Sequence, residues 1–263
     1  MSSTKLQLRA YTNSTHTKEQ ALALMREHKR LDHIIQGTYE QGVGDTFKGC
    51  LVGCATGGDH MQFEPAFGIP WRLAWLADDI FEGLTPADAA AFAVDFFDAI
   101  APGADLSRVY DAWCAWVLGD PVDGLVTIST EPSVKDMAAL FARAAAGDEP
   151  EEQQWSAAKA ALAAWDTSAA WAARAAWAAQ AARGAKDTGA AWVAWDAWVA
   201  RAASAARGAK DTGDARAAIA TWADSAARAV YAVKQRDALL RLLAAINPTG
   251  DTVYDESIYS VVL

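Results

Sequence analysis

Three pairs of reactive side chains recur at a spacing of four residues in the first quarter of the chain: His28 and Asp32, Cys50 and Cys54, His60 and Glu64. Histidine and carboxylate one helical turn apart can exchange a proton. A cysteine beside a histidine is the raw material of a nucleophile or a metal ligand. The candidate site residues are therefore His28, Asp32, Cys50, Cys54, His60 and Glu64. In this reading His28 with Asp32 is an acid–base pair and Cys50 or Cys54 is the nucleophile. His60 with Glu64 is a second acid–base pair or a pair of ligands, the plain alternative for these two being an ordinary polar pair. The plainer alternatives are a satisfied polar pair on one helix for His28 and Asp32, and small buried hydrophobes for the two thiols. Cys-x3-Cys is not the Cys-x2-Cys of a zinc knuckle and no second pair follows, so no metal is expected at Cys50 and Cys54. No cofactor can be named from the sequence.

These residues need elements to hold them. Thr17-Lys18-Glu19-Gln20 is a capping-box pattern, with Thr17 as N-cap and Gln20 reaching back. A helix is predicted from Lys18 to Glu40, with an apolar stripe of Ala21, Leu24, Met25, Leu31 and Ile35. At about 100° per residue His28, Asp32, Gln36 and Tyr39 fall on that stripe, which turns a histidine and an aspartate toward the interior. Burying either without a partner is costly, so they are read as a core pair or as one wall of a pocket. Residues 42–58 hold Gly42, Gly44, Gly49, Gly53, Gly57 and Gly58 and read as a loop that brings backbone close to something.

One resemblance is carried by His28-x3-Asp32-x3-Gln36-Gly37-Thr38-Tyr39, Gly49-Cys50-x-Val52-Gly53-Cys54 and Asp59-His60-x3-Glu64-x2-Phe67-Gly68-Ile69-Pro70. Ile80-Phe81-Glu82-Gly83-Leu84 and Gly103-Ala104-Asp105-Leu106-Ser107 extend it. The chain resembles a family of uncharacterised bacterial and phage proteins over roughly residues 5–245. The resemblance implies a shape and a phage or mobile-element setting, and no mechanism. Members often carry a further histidine where this chain has Thr56-Gly57-Gly58.

Beyond Pro70 the chain reads as helices with clear punctuation. The first runs from Trp71 to Phe81 and is closed by Gly83. The next opens on Thr85-Pro86 and ends before Pro102. A third runs from Leu106 to Leu118 behind Asp105, and a fourth from Ser133 to Ala146. Gly147-Asp148-Glu149-Pro150 is the predicted boundary between residues 1–147 and 148–263. In the second part Ala181 to Gly189 recurs identically at Ala205 to Gly213, a period of 24 residues. Each unit reads as a tryptophan-bearing helix, a glycine stop and an Asp or Thr cap, giving up-and-down helices of roughly 18 residues. Residues 5–11 alternate apolar and polar side chains and are read as one short strand or an extended arm, and the tail from Asn247 is read as extended. The predicted class is all-α: a multi-helix bundle with a C-terminal alanine- and tryptophan-rich array.

Composition narrows the function. Alanine is abundant and a net charge of −10 argues against binding nucleic acid through bulk charge. No membrane span or signal peptide is expected. The three cysteines do not suggest a disulfide framework, which points to the cytoplasm. No phosphate loop, nucleophile elbow or His-Glu-x-x-His motif occurs. Two functions remain. One is a soluble helical binding or interaction protein whose partner is an unidentified protein or small molecule, with which a homo-oligomer is compatible. The other is an enzyme with a site between the first helix and the glycine-rich Cys/His segment.

Overall fold

The chain was described by a computed structural model, which places residues 8–127, 132–163, 229 and 231–246. The fold is all-α with many helices, and the described residues contain a single two-stranded sheet. Both halves of the 24-residue repeat lie outside the described residues. The chain divides into two units, Met1–Tyr110 with Gln235–Asp255, and Asp111–Lys234 with Glu256–Leu263. Among the described residues no helix is long and apolar enough to cross a membrane.

In the first unit α1 is Lys18–Arg30, opened by the predicted capping box: the Gln20 N–H donates to the Thr17 hydroxyl and the Thr17 N–H to the Gln20 side chain. β1 (Glu40–Gln41) and β2 (Lys48–Gly49) form an antiparallel ladder. They lead into α2 (Leu51–Thr56), α3 (Phe63–Phe67), α4 (Trp71–Gly83) and α5 (Pro86–Ala99). α5 starts as its Thr85-Pro86 sequence predicts, with Thr85 accepting the Asp88 N–H. α1 packs on α5, and α4 packs on α2 and α5. Their shared core is aromatic: Phe63, Phe67, Phe92, Phe96 and Phe97 are fully buried, with Phe67 and Phe97 ring centroids 5.1 Å apart. Of the N-terminal stretch read as a strand or arm, residues 8–11 are described, and they run into a turn in which the Thr12 N–H donates to the Arg9 carbonyl and Tyr11 has φ 57°. Ala10 exchanges backbone hydrogen bonds with Gly103 and Ala104, and the Tyr11 N–H donates to Phe67. Near the C-terminus, helical residues 231–244 bring Arg236 to an ion pair with Asp88.

Two sequence expectations are corrected. The first helix does not reach Glu40. It ends at Arg30 in a Schellman-type turn: the His33 N–H donates to the His28 carbonyl and the Asp32 N–H to the Lys29 carbonyl. Asp32 takes the left-handed conformation there, φ 57°, that glycine usually supplies. Asp32 is exposed. Residues 42–58 are likewise not one loop. They hold β2 and α2, with a 3₁₀ turn at Gly44–Thr46.

In the second unit α7 (Pro132–Ala146) packs on α8 (Glu152–Ala163) through an edge-on contact of Phe141 with Trp155. The Trp116 ring, from α6 (Val109–Gly119), stacks on Tyr231. An ion pair joins Lys234 to Asp123.

Candidate functional site

The glycine-rich segment is shaped by the irregular stretch of residues 33–39, which joins it through an isolated bridge between Ile34 and Gly49. The Gly49 N–H donates to the His33 carbonyl, and the Ile35 and Cys50 N–H groups to the Gly49 and Thr38 carbonyls. This lays residues 33–39 along 49–50. The Tyr39 carbonyl then comes so close that a Cβ on Gly53 would stand 2.0 Å from its oxygen and one on Gly49 2.7 Å from it. Glycine at both positions is what allows the approach.

Cys50 sits at the turn into α2 as its N-cap, and its Sγ accepts the Gly53 N–H at 3.3 Å. Gly57, in the left-handed conformation, ends α2, and Asp59 caps a 3₁₀ turn at His60–Gln62. That turn returns His60 to Cys50, with Nε2 3.5 Å from Sγ. The His60 ring stands edge-on to the Tyr39 ring, centroids 4.6 Å apart. The third member comes from α4. The Asp78 carboxylate lies against the Cys50 thiol and takes a long hydrogen bond from the Val52 N–H at 3.5 Å. One ligand atom each from Cys50, His60 and Asp78 lie within 4.8 Å of one another, the one such metal-ligating group among the described residues.

His60 and Asp78 line a cleft of about 520 Å³ with Gly37, Thr38, Tyr39, Val52, Trp75, Asp79 and Glu82. Apart from His60, every charged or titratable side chain that commonly carries charge on this wall is a carboxylate. Gln36 and Glu82 tie the far edge. The Gln36 amide donates to the Phe81 and Leu84 carbonyls, and the Glu82 carboxylate accepts the Gly37 N–H. Trp75 and Tyr39 expose 66% and 65% of their surface at this edge. Trp71, set edge-on against Trp75, is exposed as well, so these two tryptophans are not core residues.

Burial pushes the Cys50 thiol up, and the neighbouring Asp78 charge pushes it further. Burial also raises Asp78, against the opposing pull of its hydrogen bond from Cys50. The thiol thus stays protonated and donates to the carboxylate. That is the reverse of an activated nucleophile, whose neighbours favour the thiolate. Cys50 is also only 1% exposed and does not line the cleft.

The structure brings together two of the six residues predicted for a site, Cys50 and His60. Cys54 is buried, and its S–H contacts the His33 and Gly49 carbonyls; burial raises it to about 12. Glu64 accepts the Trp71 N–H at 3.0 Å, so it caps the start of α4 and does not serve His60. His28 pairs with His33, Nδ1 to Nδ1 at 3.3 Å, and Asp32 stands in solvent. Asp78 was missed. A signal for it is present: Ala74, Asp78 and Phe81 follow one another at four and three residues, which puts a carboxylate on a buried stripe.

The chain matches no family model, no curated protein and no solved structure.

Proposed function

We propose that this chain is an enzyme that acts on a small organic cation held in the cleft between residues 37–39 and α4. The observation that carries the reading is the cleft wall: Asp78, Asp79 and Glu82 beside the exposed rings of Tyr39 and Trp75, with no lysine or arginine among the lining residues. Carboxylates attract a cation over a distance, and an indole or phenol face holds it at contact. His60 and Asp78 belong to this wall and meet the buried Cys50 behind it, which supports chemistry there and favours an enzyme over a passive scaffold.

Thermal unfolding and calorimetric titration with benzylamine, tetramethylammonium and spermidine, against benzyl alcohol and benzoate, test this. The cations should bind and raise the melting temperature. Trp75→Ala should weaken them by roughly 3- to 30-fold, the range of a cation–aromatic contact. Equal binding of benzoate, or no response to any cation, would sink the reading. A second reading, a protein-interaction surface, is favoured by the exposed Trp71–Trp75 pair together with Met61 and Val43, each 83% exposed.

A further inference from the structure

We propose that Cys50, His60 and Asp78 form a binding site for a divalent transition-metal ion, zinc before others. The inference rests on the same cleft as the proposed function and adds an inorganic cofactor to it.

Geometry is the first support. The Cys50 Sγ to His60 Nε2 separation is 3.5 Å. Bonds of about 2.3 Å to sulfur and about 2.05 Å to nitrogen, set at a tetrahedral angle, place the two ligand atoms about 3.6 Å apart. The Asp78 carboxylate completes a sulfur, nitrogen and oxygen set within 4.8 Å. Three protein ligands leave one position of a tetrahedral ion for water or substrate, the pattern of catalytic zinc sites. His60 and Asp78 both line the cleft, so that position is reached from it.

The donors also select the ion. A thiol and an imidazole suit zinc and its neighbours and do not suit magnesium or calcium. One thiolate and one carboxylate balance a charge of two. Binding would replace the Cys50 proton with the ion and release that proton to solvent. The backbone supplies outer support, since the Gly53 N–H already points at Sγ and the Val52 N–H at the Asp78 carboxylate. Cys54 is not part of the set, because its thiol turns to backbone carbonyls.

The full chain, stripped with a chelator and dialysed, is titrated with Co²⁺ and then with Zn²⁺. One equivalent of Co²⁺ should give a thiolate charge-transfer band in the near ultraviolet and strong visible bands of a tetrahedral ion, and Zn²⁺ should displace it. Cys50→Ser should lose the charge-transfer band, and Cys54→Ser should keep it. His60→Ala and Asp78→Asn should bind at least about tenfold more weakly, and they serve if Cys50→Ser does not fold. No stoichiometric binding, a band that survives Cys50→Ser, or equal loss in Cys54→Ser would overturn the site. The amine titrations are run on the stripped protein. Amine binding without metal binding defeats this inference alone, and metal binding without amine binding defeats the cleft reading alone.

Discussion

The carbonyl oxygen of Tyr39 occupies the space where a side chain on Gly53 would begin, 2.0 Å from the position of its Cβ. The first atom of any other residue would push residues 38–40 off α2. That movement would carry Tyr39 away from His60 and open the wall of the cleft.

Gly53→Ala should therefore cost at least about 1–3 kcal/mol, the range for forcing extra carbon into a packed site. Gly57→Ala is the comparison. Its φ of 66° is strained for alanine, but nothing stands within 4 Å of the new Cβ, so only about 1 kcal/mol is expected. Urea unfolding of the two variants separates the effects. A Gly53→Ala protein no weaker than Gly57→Ala would contradict the packing account.

Asp32 offers the opposite sign. It holds a left-handed φ of 57° at an exposed position just past the end of α1. Glycine takes that conformation without a Cβ penalty, and removing a negative charge from a helix C-terminus removes a repulsion. Asp32→Gly should raise stability by about 0.5–1 kcal/mol, read as a higher melting temperature. A loss would mean that the carboxylate does something the turn geometry does not reveal.

Asp32 also shows where sequence reading succeeded and failed. Thr17-x-x-Gln20, Thr85-Pro86 and the glycine at 83 are local signals, and each marks a real helix boundary in the structure. The stop at Arg30 has no glycine or proline to announce it, so the apolar stripe was carried past a turn that Asp32 makes. The core pair of His28 and Asp32 fell with that helix. Cys50 and His60 stood out because they are close in sequence in a segment crowded with glycine. Asp78 reaches them from α4, and its partnership depends on how α2 and α4 pack, which no local pattern states. The repeat assigned from Ala181 onward lies outside the described residues.

Glu64 separates a capping role from a catalytic one. Its carboxylate accepts the Trp71 N–H at the start of α4, where the backbone has no partner of its own. Glu64→Gln keeps an acceptor and loses the charge, while Glu64→Ala loses both. Stability should fall slightly in the first and by about 0.5–2 kcal/mol in the second. Cobalt spectra and amine affinity should match the wild type in both. A changed cobalt spectrum would return Glu64 to the site.

The last prediction concerns the His28–His33 pair. Their Nδ1 atoms are 3.3 Å apart and their ring centroids 5.5 Å, with Phe47 beside His28. One proton can be shared between two such nitrogens, but two protons would set like charges against each other. Burial and then His33 lower the pKa of His28, while Glu27 opposes them. A histidine whose folded pKa lies below its unfolded value of about 6.5 favours the folded state in its neutral form. Its contribution is whole above that value and is lost as pH falls through the unfolded and then the folded pKa. Urea unfolding between pH 8 and pH 5 should show wild-type stability declining on the acid side. His28→Gln, which cannot take up the proton, should flatten that decline relative to wild type. The His33 backbone carbonyl holds Gly49 and Cys54, so loosening this turn should also loosen the segment beneath the cleft. Hydrogen exchange at the Gly49 amide should quicken in the wild type as pH falls, after correction for intrinsic rates, and less so in His28→Gln. Parallel stability curves for the two proteins would remove the pair from any account of pH response.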